Sequence, residues 1–191
     1  MKHHKLSFLC YADDTQLYLS FDASSPFALL NTIAKVETSV LDIKSWMNKN
    51  LLKLNDDKTE VLIITSPYFK KKLPDLTVKV GDSTITPSLT SRTIGVIFDN
   101  TLQMNSHVKD LCKRALYQLK AIASIRCYIS QQACEMMVHG FVTSKLDYCN
   151  SFLAGLPKKY IKKLQHIQNI AAPIVTKLRG QEATSILQNL H

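Results

Sequence analysis

Apolar and polar residues alternate near the start of the chain, in KLSFLCYA and again in TQLYLSF. A period of two is typical of strands whose two faces lie in different environments. The pair Asp13-Asp14 separates the two runs. The pattern therefore predicts a β-hairpin with two adjacent carboxylates at its tip.

A helical pattern follows this hairpin. Ser25-Pro26 combines an N-cap residue with a proline suited to the first helical position. Apolar residues then recur at three- and four-residue spacing, at Leu29, Ile33, Val36, Val40, Ile43 and Met47. This stripe predicts one amphipathic helix of about five to six turns.

Short strand patterns occupy the middle of the chain. Residues 58–66 contain the run VLII, which predicts a buried strand. LTVKV and STIT flank Gly81-Asp82, which is typical of a two-residue hairpin turn. TIGVIFD, at residues 93–99, predicts a further strand.

From residue 100 onward the pattern is helical. Asn105 or Ser106 can cap a helix. Its predicted inner face comprises Val108, Leu111, Ala115, Leu119 and Ile122. Further helices are predicted over about residues 130–144 and 157–172, with a short tail helix over 183–190. Pro173 should end or kink the second of these, because proline lacks an amide donor.

These patterns predict an α+β protein with two parts. Residues 1–100 should form a small antiparallel sheet with one long helix, and residues 101–191 an all-helical lobe. Charge separates the same two parts. Residues 1–100 carry 12 Lys and Arg against 11 Asp and Glu, whereas residues 101–191 carry 12 against 4. A lobe this basic predicts a polyanionic partner, either nucleic acid or an anionic membrane surface.

Composition narrows the cellular setting. The five cysteines are widely spaced without a C-x-x-C pair, which argues against a disulfide framework or a zinc site. No apolar run approaches the roughly 18 residues of a membrane helix. MKHHKLSFLCYA is followed at once by two carboxylates, which is atypical of a signal peptide. We expect an intracellular protein of the nucleus or cytoplasm, without a signal peptide or transmembrane segment.

The carboxylate pair at the hairpin tip has two interpretations. Asp tolerates turn conformations, so the pair can be a simple acidic turn. Alternatively, Asp13 and Asp14 hold a divalent cation, because neighbouring carboxylates between apolar strands repel each other unless a cation or proton lies between them. Mg²⁺ prefers carboxylate and phosphate oxygens. An acidic turn ahead of a basic lobe is the charge distribution expected of phosphoryl transfer on nucleic acid.

Four blocks of sequence resemble, in order, segments of non-LTR retrotransposon (LINE-type, jockey- and CR1-like) reverse transcriptases. LCYADDTQLYLSF resembles the catalytic hairpin, motif C, and WMNKNLLKLNDDKTEVLII resembles the segment around motif D. TIGVIFDNTLQMNSHV resembles the primer-grip strand and the start of the thumb. SKLDYCNSFLAGLPKKYIKKLQHIQNIAA resembles the helical segment that follows. The resemblance covers about residues 6–178 and implies an RNA-directed DNA polymerase, with a partial palm over 1–100 and a thumb-like lobe over 101–191.

The resemblance implies roles for individual residues. Asp13 matches the metal-binding carboxylate, with Asp14 as its less essential neighbour, and the metal of the family is Mg²⁺ or Mn²⁺. Tyr11 and Ala12 would line the turn near the primer end. Lys58 matches the motif D lysine, which acts near the leaving pyrophosphate as a general acid or charge stabiliser.

Further positions would contact nucleic acid. Gly95 falls where the primer-grip backbone approaches the DNA primer, and glycine permits a close approach. The basic face of one helix is expected to contact phosphates of the RNA template or DNA primer, or else is simply solvated. It comprises Lys158, Lys159, Lys162 and Lys163, with His166.

The resemblance also implies segments that this sequence does not contain. Reverse transcriptases take a metal-bridging carboxylate from motif A, upstream of motif C, and hold nucleotide and template with motif B and the fingers. We therefore expect weak or no Mg²⁺ binding and no polymerisation by this chain alone, with a missing upstream palm and fingers segment as a further partner. At Pro173, relatives usually carry Arg in a continuous helix. Two alternatives are a non-catalytic nucleic-acid-binding module and the product of a decayed gene copy.

Overall fold

The computed structural model describes residues 6–22, 24–81, 83–148 and 150–177. The chain forms two compact units, Met1–Ser91 and Arg92–His191, where the sequence interpretation placed the boundary at residue 100. Helices and three two-stranded antiparallel sheets confirm the α+β class. The strands described are paired two by two rather than joined in the single sheet that was predicted. The tail helix predicted over 183–190 lies outside the described residues.

The first unit opens with the predicted hairpin and helix. β1 (Ser7–Tyr11) pairs with β2 (Asp14–Tyr18), and helix α1 spans Pro26–Lys49. The side chain of Ser25 accepts a hydrogen bond from the Ala28 amide, at 3.4 Å, and so caps α1. The sequence signal for the start of this helix is confirmed.

A second hairpin packs against α1. Its strands are β3 (Val78–Val80) and β4 (Ser83–Ile85), and Gly81, directly after β3, has a φ of 62°. Asp82, the other residue of the predicted turn, lies outside the described residues. Val40 of α1 is buried together with the two valines of β3. The half-buried residues around them are Leu17, Ile33, Val36, Leu54, Val61 and Ile85.

The buried strand predicted over residues 58–66 is wrong. Asp56–Lys58 is one turn of 3₁₀ helix, and the VLII run makes only a single bridge, between Leu62 and Ser88. Its side chains are half-buried or exposed. β-branched residues favour a strand only where a neighbouring strand offers a ladder of partners, and here one position is paired. A short helix α2 (Pro67–Lys70) follows.

The prediction of a single strand over residues 93–99 is also wrong, because the chain reverses direction within this segment. β5 (Thr90–Thr93) pairs with β6 (Val96–Asp99) across a turn formed by Ile94 and Gly95. Their φ values are 46° and 78°. Two consecutive positive φ values are the signature of a type I′ hairpin turn.

The second unit is mainly helical. Its helices are α3 (Asn105–Ile125), α4 (Gln131–Val138), α5 (Ser144–Asp147), α6 (Asn150–Leu153) and α7 (Lys158–Thr176). All five residues predicted for the inner face of α3 are buried. Four of them, all but Val108, pack with residues of α4 and α7 in the main core of this unit. Val108 packs with Leu153 and Tyr160 in a second cluster. A π-helical turn, His139–Thr143, joins α4 to α5.

Neither Asn105 nor Ser106 caps α3, contrary to the prediction. The N-cap position is Met104, whose φ is 57° and whose side chain makes no capping hydrogen bond. The loop before it is held by Asp99 instead, whose Oδ1 accepts from the amides of Thr101 and Gln103 at 3.1 and 3.0 Å. Burial raises the pKa of Asp99. The Thr101 hydroxyl, which donates to Oδ1 at 2.8 Å, and the backbone amides outweigh burial and leave the pKa below its ordinary value.

Pro173 lies inside α7, so of the two predicted outcomes, an end or a kink at the proline, the end near residue 172 is wrong. The helix continues to Thr176 and ends where Lys177 adopts a positive φ of 59°. The guanidinium of Arg126 donates to the carbonyls of Ile174 and Val175, both at 2.8 Å. These bonds pair carbonyls of the last turn that have no partner within a helix, and so favour continuation past the proline.

Candidate functional site

The acidic pair occupies the tip of the first hairpin, as predicted. Tyr11 pairs with Asp14, so Ala12 and Asp13 form a two-residue loop. Ala12 has a φ of 52°, which is uncommon for a residue other than glycine. The turn therefore holds the backbone beside Asp13 in a conformation that alanine disfavours.

The register places several large side chains on the same face as Asp14. Partners directly opposite one another in an antiparallel pair share a face, so Leu9, Tyr11 and Tyr18 lie on the face of Asp14. These three side chains are 51, 62 and 59% exposed. Leu17 points the other way and packs against the core of the first unit.

The apolar strands that flank the acidic pair do not bury it. Every residue of β1 is exposed, and so are Asp13 and Asp14. Water around both carboxylates weakens their mutual repulsion, so electrostatics alone does not require a cation there. The sequence pattern did not show this, because the burial of a strand depends on which element covers it.

The residues present do not by themselves make a magnesium site. Across the described residues, no group of three or more His, Cys, Asp or Glu is placed to hold one metal ion. Two neighbouring carboxylates supply only part of an octahedral oxygen shell. Asp13 and Asp14 would need further oxygen ligands to complete such a shell.

Lys58 lies at the end of the 3₁₀ turn and is exposed. The side chain of Asn55 caps this turn by accepting from the Lys58 amide at 3.3 Å. Asp56 pairs with Lys44 of α1 at 3.1 Å, which ties the turn to the long helix. No hydrogen bond or ion pair joins Lys58 to Asp13 or Asp14, all three being described residues. The structure thus fixes the backbone of Lys58 without bringing its side chain to the acidic pair.

Gly95 is favoured by the chain's own backbone conformation. Its φ of 78° is unfavourable for other residues, whereas a Cβ here would only make van der Waals contact with the ring of Tyr148, at 3.4 Å. The Tyr148 hydroxyl donates to the carbonyl of Ile94 at 2.8 Å. Tyr148 therefore clamps the turn, a role that sequence reasoning missed because 54 residues separate the partners.

The four predicted lysines do form an exposed basic surface, at the start of α7. Lys159 and Lys163 extend over the ring of the buried Tyr160, with Nζ 4.8 and 5.8 Å from the ring centre. None of the four has a carboxylate partner within the described part of the chain. Cations at a helix N-terminus are disfavoured by the helix dipole, so the positive potential is concentrated there. We call Lys158, Lys159, Lys162 and Lys163 the α7 lysine cluster.

A second charged group, missed by sequence reasoning, lies near the start of α3. Asp110 pairs with both Arg114 and Arg92, at 2.9 and 3.2 Å. His107 is buried, and its Nδ1 accepts a hydrogen bond from the backbone amide of Ile97 at 3.3 Å. Burial, and then the nearby Arg114 guanidinium, lower the pKa of His107. The i,i+4 spacing of Asp110 and Arg114 was the available signal, but nothing local indicated Ile97 as a partner.

Comparison of the chain with protein-family models, with curated proteins and with solved structures gives no match. Among the residues that the structure describes, no helix has the length and apolar character needed to span a membrane.

Proposed function

We propose that this chain is the C-terminal palm and thumb portion of a non-LTR retrotransposon reverse transcriptase, an RNA-directed DNA polymerase. The observation that carries the proposal is the position of YADD at the two-residue tip of an antiparallel hairpin. The four ordered blocks of sequence support it. The palm would comprise residues 1–100 and the thumb residues 101–191.

In this proposal the acidic tip contributes one part of an active site. Asp13 would hold Mg²⁺ or Mn²⁺ with a motif A carboxylate from an upstream segment, and Asp14 would be secondary. Tyr11 and Ala12 would lie beside the primer end, and Lys58 near the departing pyrophosphate. The uncovered face of Leu9 and Tyr11 is consistent with a hairpin that an upstream palm segment covers.

Primer extension tests the catalytic part of the proposal. The chain alone, with Mg²⁺ or Mn²⁺ and an RNA template bearing a DNA primer, should give no synthesis. The genomic frame directly upstream should encode the motif A aspartate and the fingers. Joined to that segment in one polypeptide, the chain should polymerise, and Asp13→Asn should abolish synthesis while preserving the shape of the side chain. Synthesis that survives Asp13→Asn would refute the assignment of this hairpin.

A second candidate is a non-catalytic nucleic-acid-binding module, favoured by the α7 lysine cluster with no carboxylate partner among the described residues. If the cluster neutralises four phosphates of a duplex, the log–log dependence of affinity on salt has a slope of about −3.6 from these contacts. Changing all four lysines to Gln should remove most of that slope. A matched control changes four exposed lysines of the first unit to Gln, namely Lys35, Lys53, Lys70 and Lys71.

The form of the nucleic acid separates the two candidates. A polymerase portion should prefer an RNA–DNA primer–template with a recessed 3′ end over a blunt duplex of the same length. A general binding module should bind both equally, since phosphates alone carry no information about the end. Fluorescence anisotropy at several salt concentrations measures both. Loss of affinity equal in the control and in the α7 lysine variant would contradict a role for this surface.

A further inference from the structure

An open groove runs between α3 and α7 of the second unit, with a volume of about 290 Å³. Its lining residues are Cys112, Leu116, Lys162, Lys163, His166 and Ile167. Ile167 is buried, Cys112 and Leu116 are half-buried, and the three cationic or titratable side chains are exposed. The groove thus has an apolar floor and a basic rim.

The floor selects for aliphatic groups. It presents aliphatic carbon from Leu116 and Ile167 and the thiol of Cys112, which is a weak hydrogen-bonding group. A nucleobase placed on this floor would find few hydrogen-bonding partners for its polar edges there. An aliphatic side chain has no such groups to satisfy and gains from leaving water.

Both walls of the groove are positively charged. The α7 helix contains no acidic residue, and the one carboxylate of α3, Asp110, is already paired with two arginines. Three exposed lysines of α3, three or four residues from Cys112 or Leu116, extend the charge along that wall. They are Lys109, Lys113 and Lys120, and none has a carboxylate partner within the described ranges. An occupant that carries negative charge would therefore complement both walls.

We propose that the groove between α3 and α7 binds an acidic amphipathic helix of a partner protein, with aliphatic side chains on its floor and carboxylates along its rim. A groove between two helices accepts the ridge of a third, whose anchors recur at i, i+3, i+4 and i+7. Charge complementarity selects Asp and Glu beside those anchors. The inference goes beyond the proposed nucleic-acid function, because phosphate binding makes no use of the apolar floor.

A pair of labelled synthetic peptides tests the proposal by fluorescence anisotropy. One forms about five helical turns with Leu at the anchor positions and Glu beside them; the matched control peptide carries Lys in place of every Glu. The acidic peptide should bind at least about tenfold more tightly than the basic one. Leu116→Gln keeps the side chain's length while making the floor polar, and should weaken binding about tenfold. Lys53→Gln, a charge-matched change of an exposed lysine in the first unit, should leave binding unchanged.

The same variants separate this inference from the nucleic-acid proposal. Leu116→Gln should leave the salt-dependent binding of an RNA–DNA duplex intact. Changing the α7 lysine cluster should weaken the binding of both the duplex and the acidic peptide. Circular dichroism verifies that Leu116→Gln is folded, and Lys163→Gln, at an exposed position, provides a second variant with an expected loss of a few-fold. Equal binding of the acidic and basic peptides, or acidic-peptide binding unaffected by both variants, would overturn the proposal. Loss of oligonucleotide binding on Leu116→Gln would assign the groove to nucleic acid instead.

Discussion

Arg126 is buried next to the end of α7, and within the described residues its guanidinium meets carbonyl groups rather than a carboxylate. Its Nε and Nη2 donate to the carbonyls of Ile174 and Val175 at 2.8 Å each. Its Nη1 donates to the carbonyl of Ile129 at 2.9 Å. One side chain therefore ties the loop after α3 to the last turn of α7, and it places a cation at the negative end of that helix dipole.

The magnitude of this contribution follows from those three bonds. A hydrogen bond to a charged donor contributes about 1.5–3 kcal/mol, so three bonds give a gross value of about 4.5–9 kcal/mol. Burying the guanidinium costs several kcal/mol, which an apolar replacement recovers. Arg126→Met, which keeps most of the side chain's length, should therefore lower the free energy of unfolding of the second unit by about 2–4 kcal/mol.

Hydrogen exchange measured by mass spectrometry on α7 peptides, together with urea unfolding, tests this value. Protection should fall most in the last turn of α7, and the loss should be nearly independent of salt because the partners are neutral. Arg92→Met is the control, since the side chain of Arg92 is 51% exposed and its pair with Asp110 should contribute less than about 1 kcal/mol. A loss below about 0.5 kcal/mol for Arg126→Met would refute the reasoning, as this is the range of surface substitutions.

Three further outcomes follow from the packing and the local charges. Leu119 lies in the core and is 1% exposed, so Leu119→Ala should lower the free energy of unfolding by about 2–5 kcal/mol. Leu89 is 66% exposed, so in the same urea titration Leu89→Ala should change it by less than about 0.5 kcal/mol. Gly95→Ala should destabilise the β5–β6 turn by about 1–3 kcal/mol, seen as a lower midpoint of thermal unfolding, and an unchanged midpoint would contradict the strain argument. The pKa of His107 is lower in the folded state than in the unfolded state, where it is about 6.5. Between these two pKa values the unfolded state binds more protons. The free energy of unfolding should therefore fall as the pH falls from about 6.5 towards the folded pKa. His107→Gln, which keeps an acceptor for the Ile97 amide, should flatten that slope in urea titrations between about pH 5 and 7; an identical slope would show that another group causes it.

Helices were predicted better than strands because their signals are local. The inner face of α3 is correct at every predicted position, since a 3.6-residue repeat places the same residues together whatever the partner is. The VLII run shows the opposite case, because a strand requires a neighbour at the right register. The position of Ile94 in a turn could not be predicted from the sequence. A β-branched residue disfavours positive φ, and only the distant hydroxyl of Tyr148 shows why the turn forms there.

The candidate site divides in the same way. The hairpin tip and the α7 lysine cluster were found from sequence, because adjacent charges in a periodic pattern are visible without tertiary contacts. Arg126 and His107 were missed, because their partners lie elsewhere in the chain; 48 residues separate Arg126 from Ile174. The exposure of the acidic pair was also missed, since it depends on what covers β1 and not on β1 itself.

Because this face of the hairpin is exposed, the cation affinity of the acidic pair depends on whether another segment covers the face. Two unit charges about 4 Å apart repel by about 1 kcal/mol in water and about 4 kcal/mol at the effective dielectric of a protein surface. Anything that covers Leu9, Tyr11 and Tyr18 removes apolar area from water, which is favourable, and at the same time removes water from Asp14 on the same face. Covering the face therefore strengthens the repulsion within the acidic pair and raises its affinity for a cation. Burial of this face and cation binding by the pair are consequently linked. Leu9→Asn, which adds no charge beside Asp14, should weaken both the covering and the cation affinity that depends on it, as measured by Mg²⁺ titration of the chain joined to its upstream segment.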